Sequence, residues 1–309
     1  MQNRLYVVRA TRRAGGWRRA TRNVRPCHSG HNHRVVHVIP IEDPSDERVS
    51  DYIGLTDPDL RRRREQAGGA DGGFFIAEGV GVLRQLLRSR YRVRSLFLTP
   101  QRFGALEPHL GGVDAPVYVA AQEIVNLVSG FPLHRGAIAS AHRGPLPDAG
   151  AIADGAQLLV VTEGINDHEN LGALFRNAAA FGAGGVLLDP STADPLYRRS
   201  VRVSMGQVLH VAFTVAAPWP DALADLRRRG FEVLALTPAP DAEDLDDVEP
   251  RPRQALLVGA EGPGLSQAAL AAADRRVRIP MAVEVDSLNV ATAAAIALHH
   301  LARSPFRRR

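Results

Sequence analysis

Ile279 to Arg303 reads IPMAVEVDSLNVATAAAIALHHLAR, and its change of pattern governs how the rest of the chain is read. A short strand over Val277–Met281 is expected, with Pro280 keeping it at an edge or ending it early. A polar turn, Glu284–Ser287, follows. From Leu288 nearly every residue is small or apolar (Ala291, Ala293, Ala294, Ala295, Ile296, Ala297, Leu298), which predicts a helix that Ser287 is placed to cap. So little side-chain bulk suits close packing on a sheet or on a second subunit. Asp286, Ser287 and Asn289 then fall at a strand-to-helix junction, where open α/β sheets bind ligands.

Working back, the same alternation recurs. Strands are expected over Leu158–Thr162, Gly185–Leu188, Glu232–Leu236 and Ala255–Val258, with helices over Asn170–Phe181, Pro220–Arg229 and Ser266–Ala273. Apolar strands alternating with helices predict a parallel sheet covered on both faces, a domain of residues 157–303. The Pro-, Gly- and Asp-rich stretch PLPDAGAIADG, Pro145–Gly155, reads as a linker, bounded here as 145–156. Residues 36–144 form a smaller α/β or α+β unit. Its expected elements are an extended Val35–Ile41, a polar helical Asp43–Gln66 ending in the run Arg61–Arg64, and a loop at Gly68–Gly73. Strands Phe74–Ala77, Val93–Leu98, Val117–Val119 and Arg135–Ala141 and helices Val80–Arg90 and Gln122–Val128 complete it.

The chain has 309 residues, 45% of them hydrophobic, enough for about two cored domains. No apolar run reaches the roughly 18 residues of a membrane span. All 38 basic residues are Arg, which excludes Schiff-base chemistry and a P-loop lysine. The one Cys, Cys27, rules out an internal disulfide framework and fits a reducing, cytoplasmic setting. Residues 1–35 carry nine Arg and no acid, leaving 29 Arg against 33 acids, a net of −4, elsewhere. The net +5 therefore belongs to a basic arm, which is expected to be disordered and able to add salt-dependent affinity for nucleic acid. That arm has no apolar segment of a secretory signal. Cys27, His31, His33 and His37 are read as residues of an irregular tract rather than as metal ligands. Residues 304–309 are a short basic tail.

Three loops of the second domain each follow a strand and precede a helix. The first is EGINDHENLGALFR, Glu163–Arg176. Asn170 is expected to start the helix, Gly172 permits close approach, and Arg176 sits roughly 9 Å further along the axis. A buried Arg among alanines requires an anion. The second, VGAEGPGLS at Val258–Ser266, holds three glycines that permit a sharp turn with ligand-facing amides; Glu261 is its single charge. The third is the opening stretch. No G-x-G-x-x-G and no G-x-S-x-G occurs in the chain, so neither a dinucleotide fold nor a nucleophile elbow is supported.

These three loops resemble motifs one to three of the SpoU (TrmH-like) RNA ribose methyltransferases. Motif one is Asn170-x-Gly172-x-x-x-Arg176 with Phe181-Gly182. Motif two is Gly259-x-Glu261-Gly262-x-Gly264-Leu265. Motif three is Ile279-Pro280 followed by Ser287-Leu288-Asn289-Val290. The resemblance covers about residues 157–303. Less specifically, Phe75-Ile76-Ala77-Glu78-Gly79 and His134-Arg135-Gly136 make residues 36–144 similar to the family's L30-like substrate-binding domain.

The resemblance implies a SPOUT-type trefoil knot, in which the chain after motif two threads an earlier loop, and a homodimer packed through the knot helices. It implies S-adenosyl-L-methionine as methyl donor, held largely through backbone at Gly259, Ile279 and Leu288, with no metal. The implied reaction is methylation of a ribose 2′-hydroxyl in RNA, ribosomal before transfer RNA because of the extra N-terminal domain. Arg176 would lie beside the attacking hydroxyl and its phosphate. A guanidinium with a pKa above about 12 is better placed for charge and positioning than as a base. Asn170, Ser287 and Asn289 would orient Arg176 and the ribose, and Glu261 would brace its loop. Capping for Asn170 and Ser287, loop anchoring for Glu261 and a loop-to-loop tie for Asn289 are the structural alternatives. A transfer-RNA methyltransferase and a catalytically silent RNA-binding protein are the competing functions.

Overall fold

The computed structural model describes residues 36–55, 73–133, 136–249, 251–282 and 286–303. The basic arm, the run Arg61–Arg64, His134–Arg135 and the tail at 304–309 lie outside the described residues.

In chain order the first unit comprises β1 (Val38–Pro40), a 3₁₀ turn at Glu47–Tyr52, β2 (Phe74–Glu78), α1 (Val80–Arg88), β3 (Val93–Leu98), α2 (Pro100–Leu106), β4 (Val117–Val119), α3 (Gln122–Ser129) and β5 (Ala137–His142). The strands form one sheet in the order β1-β4-β3-β5-β2, with β5 antiparallel to both its neighbours. The strand period of two divides its side chains. Phe74 and Ile76 face a cluster with Tyr52, Val125 and Leu133, whereas Phe75 and Ala77 face Leu83 and Leu86 of α1. Polar groups under the 3₁₀ turn satisfy one another. The Tyr52 hydroxyl lies 2.7 Å from Ser95 Oγ, which is 3.2 Å from Ser140 Oγ, and that hydroxyl donates to Asp51 at 2.6 Å.

The second unit runs α4 (Ala149–Asp154), β6 (Leu158–Glu163), α5 (His168–Ala180), β7 (Gly185–Leu188), α6 (Arg198–Val203), β8 (Phe213–Val215), α7 (Asp221–Arg228), β9 (Glu232–Leu236), β10 (Glu243–Asp244), β11 (Gln254–Gly259), α8 (Gln267–Ala272), β12 (Arg275–Arg278) and α9 (Val290–Ala302). Its sheet has the order β10-β12-β9-β11-β6-β7-β8, with every pairing parallel. Leu158 and Val160 pack towards Phe175 of α5 and Leu298 of α9, and Leu159 and Val161 towards Ile152, Leu223 and Ala269 of α4, α7 and α8. Both faces are thus covered, as the continuous apolar strands predict. Because all strands run one way, the loops after β6, β11 and β12 leave from one edge. The apolar cluster holding Phe175 and Leu298 continues into Phe75 and Leu83 of the first unit.

Several boundaries differ from expectation. The stretch read as a linker contains α4, capped by Asp148, whose side chain accepts from Ala151 N. Its Ile152 and Ala153 are buried. Gly184 and Gly185 permit this, since a Cβ on either would meet Ala156 Cβ at 2.6 Å or Ile152 Cγ2 at 2.3 Å. The strand expected over Val277–Met281 ends at Arg278, where its pairing with Asp244 ends. Of the helical region expected over Asp43–Gln66, the described part is a six-residue 3₁₀ turn. Helices α2 and α6 and strands β8 and β10 were not anticipated; each has seven residues or fewer.

Candidate functional site

The loop after β6 is held from below by a carboxylate. Asp189, just past β7 and 3% exposed, accepts from Gly164 N (2.8 Å), Ser191 N (3.0 Å) and the hydroxyls of Ser191 and Thr192. Burial alone would raise its pKa, but these hydrogen bonds outweigh burial and hold it below the ordinary aspartate value. Thr192 Oγ1 also accepts from Ile165 N (3.2 Å), and Ala193 N donates to Ile165 O (2.9 Å). The strand-end loop is therefore clamped to its neighbour through main chain and side chain together.

Helix α5 opens two residues earlier than expected, at His168. Asp167 caps it, accepting from Glu169 N (2.7 Å) and Asn170 N (2.8 Å), so Asn170 is not the cap. Leu171, Leu174, Phe175 and Ala178 form the buried stripe, and Arg176 lies off it. Arg176 is exposed, not buried as expected, and no hydrogen bond or ion pair ties its guanidinium to another described residue.

In the loop after β11, Gly259 stands in register with Glu163. The chain then doubles back so tightly that a Cβ on Gly259 would lie 2.5 Å from the Gly264 carbonyl carbon. Gly262 (φ 86°) and Gly264 (φ 69°) take the left-handed turn positions. Glu163 secures the far end, accepting from Ser266 N, Ser266 Oγ and Trp219 Nε1, each at 2.7 Å.

The third loop meets the other two through one side chain. Asn289 Nδ2 donates to Asn170 Oδ1 (2.7 Å) and to Glu261 Oε1 (2.8 Å). Its Oδ1 accepts from Ala291 N (3.0 Å) and Thr292 N (3.1 Å), making Asn289, rather than Ser287, the cap of α9. Both donor hydrogens and the carbonyl oxygen are thereby occupied. Ser287 is exposed and hydrogen-bonds to no described residue. Ile279 and Leu288 are half-buried, and their amides and carbonyls make no main-chain hydrogen bond to a described residue.

Of the anticipated residues, Asn170, Glu261 and Asn289 are joined directly, across 119 and 28 residues of sequence. Arg176 stands further along the helix that carries Asn170, and Gly259 begins the loop that carries Glu261. Sequence reasoning passed over Asp189, Glu163, Trp219 and Asp167. Asp167 was legible, because Asp-His-Glu-Asn offers a cap with an acid in the first turn; the partners of the others are set by the sheet. Among the described residues no helix is long and apolar enough to cross a membrane.

Residues 157–299 match the model of the SpoU rRNA methylase family. A Mycobacterium bovis protein described as an uncharacterized tRNA/rRNA methyltransferase is 47% identical over 265 residues, covering 85% of this chain and 91% of its own. The AdoMet-bound rRNA methyltransferase of Sinorhizobium meliloti shares the fold at TM-score 0.69 and 22% identity, covering 86% of this chain and 98% of its own. An RNA 2′-O ribose methyltransferase superposes at TM-score 0.65 with 25% identity, again over 86% and 98%.

Proposed function

Because the chain belongs to the SpoU rRNA methylase family, we propose that it methylates a ribose 2′-hydroxyl of RNA, ribosomal before transfer RNA, with S-adenosylmethionine as donor. The observation that carries this reading is the Asn289 bridge, which gathers Asn170, Glu261 and the start of α9 at the carboxyl edge of a parallel sheet. The 2′-hydroxyl specificity rests on the likeness to the ribose methyltransferase and on the residues gathered here.

A donor recognised through backbone needs main-chain groups that the fold has not already used. Among the described residues Ile279 and Leu288 offer such groups, and Gly259 opens the loop that Asn289 ties to this segment through Glu261, so these three residues fit the adenosyl donor. When bound, S-adenosylmethionine supplies an electrophilic methyl group on a sulfonium. The protein's own contribution is alignment and charge. Arg176, cationic and unpaired among the described residues, is placed for the phosphate beside the target ribose. Asn170 is held at a fixed height on the same helix by Asn289. Ser287, exposed and hydrogen-bonded to no described residue, is available to the ribose. Glu261 acts as a brace, since its carboxylate accepts from Asn289.

The same reading includes the trefoil knot. The chain after the motif-two loop returns across β9 to lay β12 between β9 and β10, an order that accords with a threaded path. It also includes a homodimer packed through α9, which leaves Ile296 41% exposed, and action in the bacterial cytoplasm.

The deciding experiment incubates the protein with tritiated S-adenosylmethionine and unmodified ribosomal and transfer RNA, then maps the labelled nucleotide. Label on a ribosomal 2′-oxygen is expected. Label confined to transfer RNA would overturn the choice of substrate, and absence of donor binding would overturn the reading as a whole.

A further inference from the structure

Glu78 ends β2 in the first unit and is only 6% exposed. A carboxylate so far from water is costly unless cations meet it. Two do, both from α6 of the other unit: Arg198 Nη1 lies 3.4 Å and Arg202 Nη1 3.5 Å from Glu78 Oε2. The two arginines are four residues apart and so share one face of the helix. The chain just beyond α6 is pressed against the same unit. A Cβ on Gly206 (φ 80°) would lie 2.8 Å from Gln85 Cβ, and one on Gly81 would lie 3.6 Å from Met205 Cε. Arg143 pairs with Asp194 ahead of the helix, and Arg198 stacks over the Phe131 ring at 4.6 Å.

The rest of α6 grips the helix that carries Asn170 and Arg176. A Cβ on Gly172 would meet Ser200 O at 2.7 Å and Val203 Cβ at 2.9 Å. Ser200 Oγ donates to His168 O (3.1 Å), Arg199 Nε to Glu169 Oε1 (2.9 Å), and the His168 and Tyr197 rings lie 4.0 Å apart. Helix α6 is thus a wedge, fixed on one side by Glu78 and on the other packed at backbone distance against the first turns of α5. Tight packing transmits displacement rather than absorbing it.

We propose that Glu78 is a positioning residue: through Arg198, Arg202 and α6 it sets where α5 presents Asn170 and Arg176 relative to RNA held by the first unit. This rests on the methyltransferase reading above, and it adds that a buried carboxylate helps to index the two units to one another. Glu78 itself touches neither RNA nor donor.

The test compares Glu78→Gln, Arg202→Gln and the double variant in the full-length protein. Arg202, the more exposed partner, provides a variant expected to fold if Glu78→Gln does not. For each single variant the expected result is a fall in kcat on the order of tenfold, because small misplacements of a reacting group are costly. KM for RNA and donor affinity should change less than about twofold. The double variant should fall no further than the worse single one, the mark of residues acting as one unit. In hydrogen exchange, amides of residues 168–180 should exchange faster while those of 221–228, on the opposite face of the sheet, stay unchanged. A lower melting temperature with kcat intact, additive losses in the double variant, or unchanged exchange across 168–180 would each overturn the proposal. If the unaltered protein methylated no RNA, the functional reading would fail, whereas the exchange arm would still decide whether Glu78 holds α5.

Discussion

The loop after β6 and the segment after β12 reach the same edge of the sheet, but the chain holds them by different means. The first is fastened from beneath by a buried carboxylate, with Asp189, Thr192 and Ala193 engaging successive residues of the loop. The second crosses the edge with main-chain groups at Ile279 and Leu288 that make no backbone hydrogen bond to the described residues, and among those residues the Asn289 side chain ties its end to its neighbours. Hydrogen bonds completed within the fold make a frame; groups left unused there are free for a ligand. Under the function proposed above, the nucleophile side of the site would be built in advance and the donor side completed by what binds.

Arg176→Ala should give the largest effect because it removes charge and leaves the frame standing. Methyl transfer should fall by about 10²–10³-fold, the range for loss of one preorganised electrostatic contact. Melting temperature and donor affinity should not move, since the side chain is exposed and pairs with no described residue. A fall in stability parallel to the fall in rate would place Arg176 in the frame. Asp189→Ala attacks the frame itself: it leaves the amides of Gly164 and Ser191 and two hydroxyls without their acceptor, costing about 2–3 kcal/mol. Calorimetry should register a drop of roughly 4–10 °C. The pH dependence has a definite sign. Asp189 has a lowered pKa in the folded state, so its stabilisation is complete above the ordinary aspartate value and is lost as pH falls through the lowered one. Asp189→Asn should accordingly flatten the acid limb of the stability curve. An unchanged acid limb would mean that the carboxylate's charge contributes nothing to the clamp.

The frame and the site differed in how far they could be read from sequence. Alternating apolar strands and helices are a local signal, and they located the parallel sheet and the three loops. Asn170, Glu261 and Asn289 were legible as polar residues in those loops, but their hydrogen bonds join positions 119 and 28 residues apart, which only the strand order brings together. Arg176 was misplaced although the signal was present. Leu171, Leu174, Phe175 and Ala178 already define the buried stripe, and a residue adjacent to Phe175 turns about 100° away from it. The alanine-rich surroundings suggested burial because Ala is compatible with either face. The α4 helix escaped notice because Pro, Gly and Asp mark turns, whereas here Asp148 caps the helix and the glycines at 184 and 185 give Ile152 room to pack. Helix α6, Arg198–Val203, looks like a charged surface run until the buried Glu78 that it meets is known.

Two smaller changes sharpen the contrast. Asn289→Ala deletes a helix cap and the tie between loops, with a stability cost of about 1–2 kcal/mol. If the donor side is completed by its ligand, titration calorimetry should find donor affinity weakened by roughly tenfold, equivalent to about 1.4 kcal/mol, with methyl transfer at saturating donor largely retained. A variant that bound donor normally but turned over slowly would show that Asn289 acts through Asn170 alone and not on the donor side. Trp219→Phe should have the smallest effect. Its indole N–H donates to Glu163 at 2.7 Å, but that carboxylate also holds both the amide and the hydroxyl of Ser266. Phenylalanine keeps much of the ring's packing and leaves Glu163 with two donors, so no buried acceptor is orphaned. A loss of about 1 kcal/mol, or roughly 2–4 °C in melting temperature, is expected, with donor affinity unaltered. Donor affinity falling with Trp219→Phe would show the motif-two turn to depend on its outermost brace, and the division between a built side and a completed side would then run through the middle of that loop.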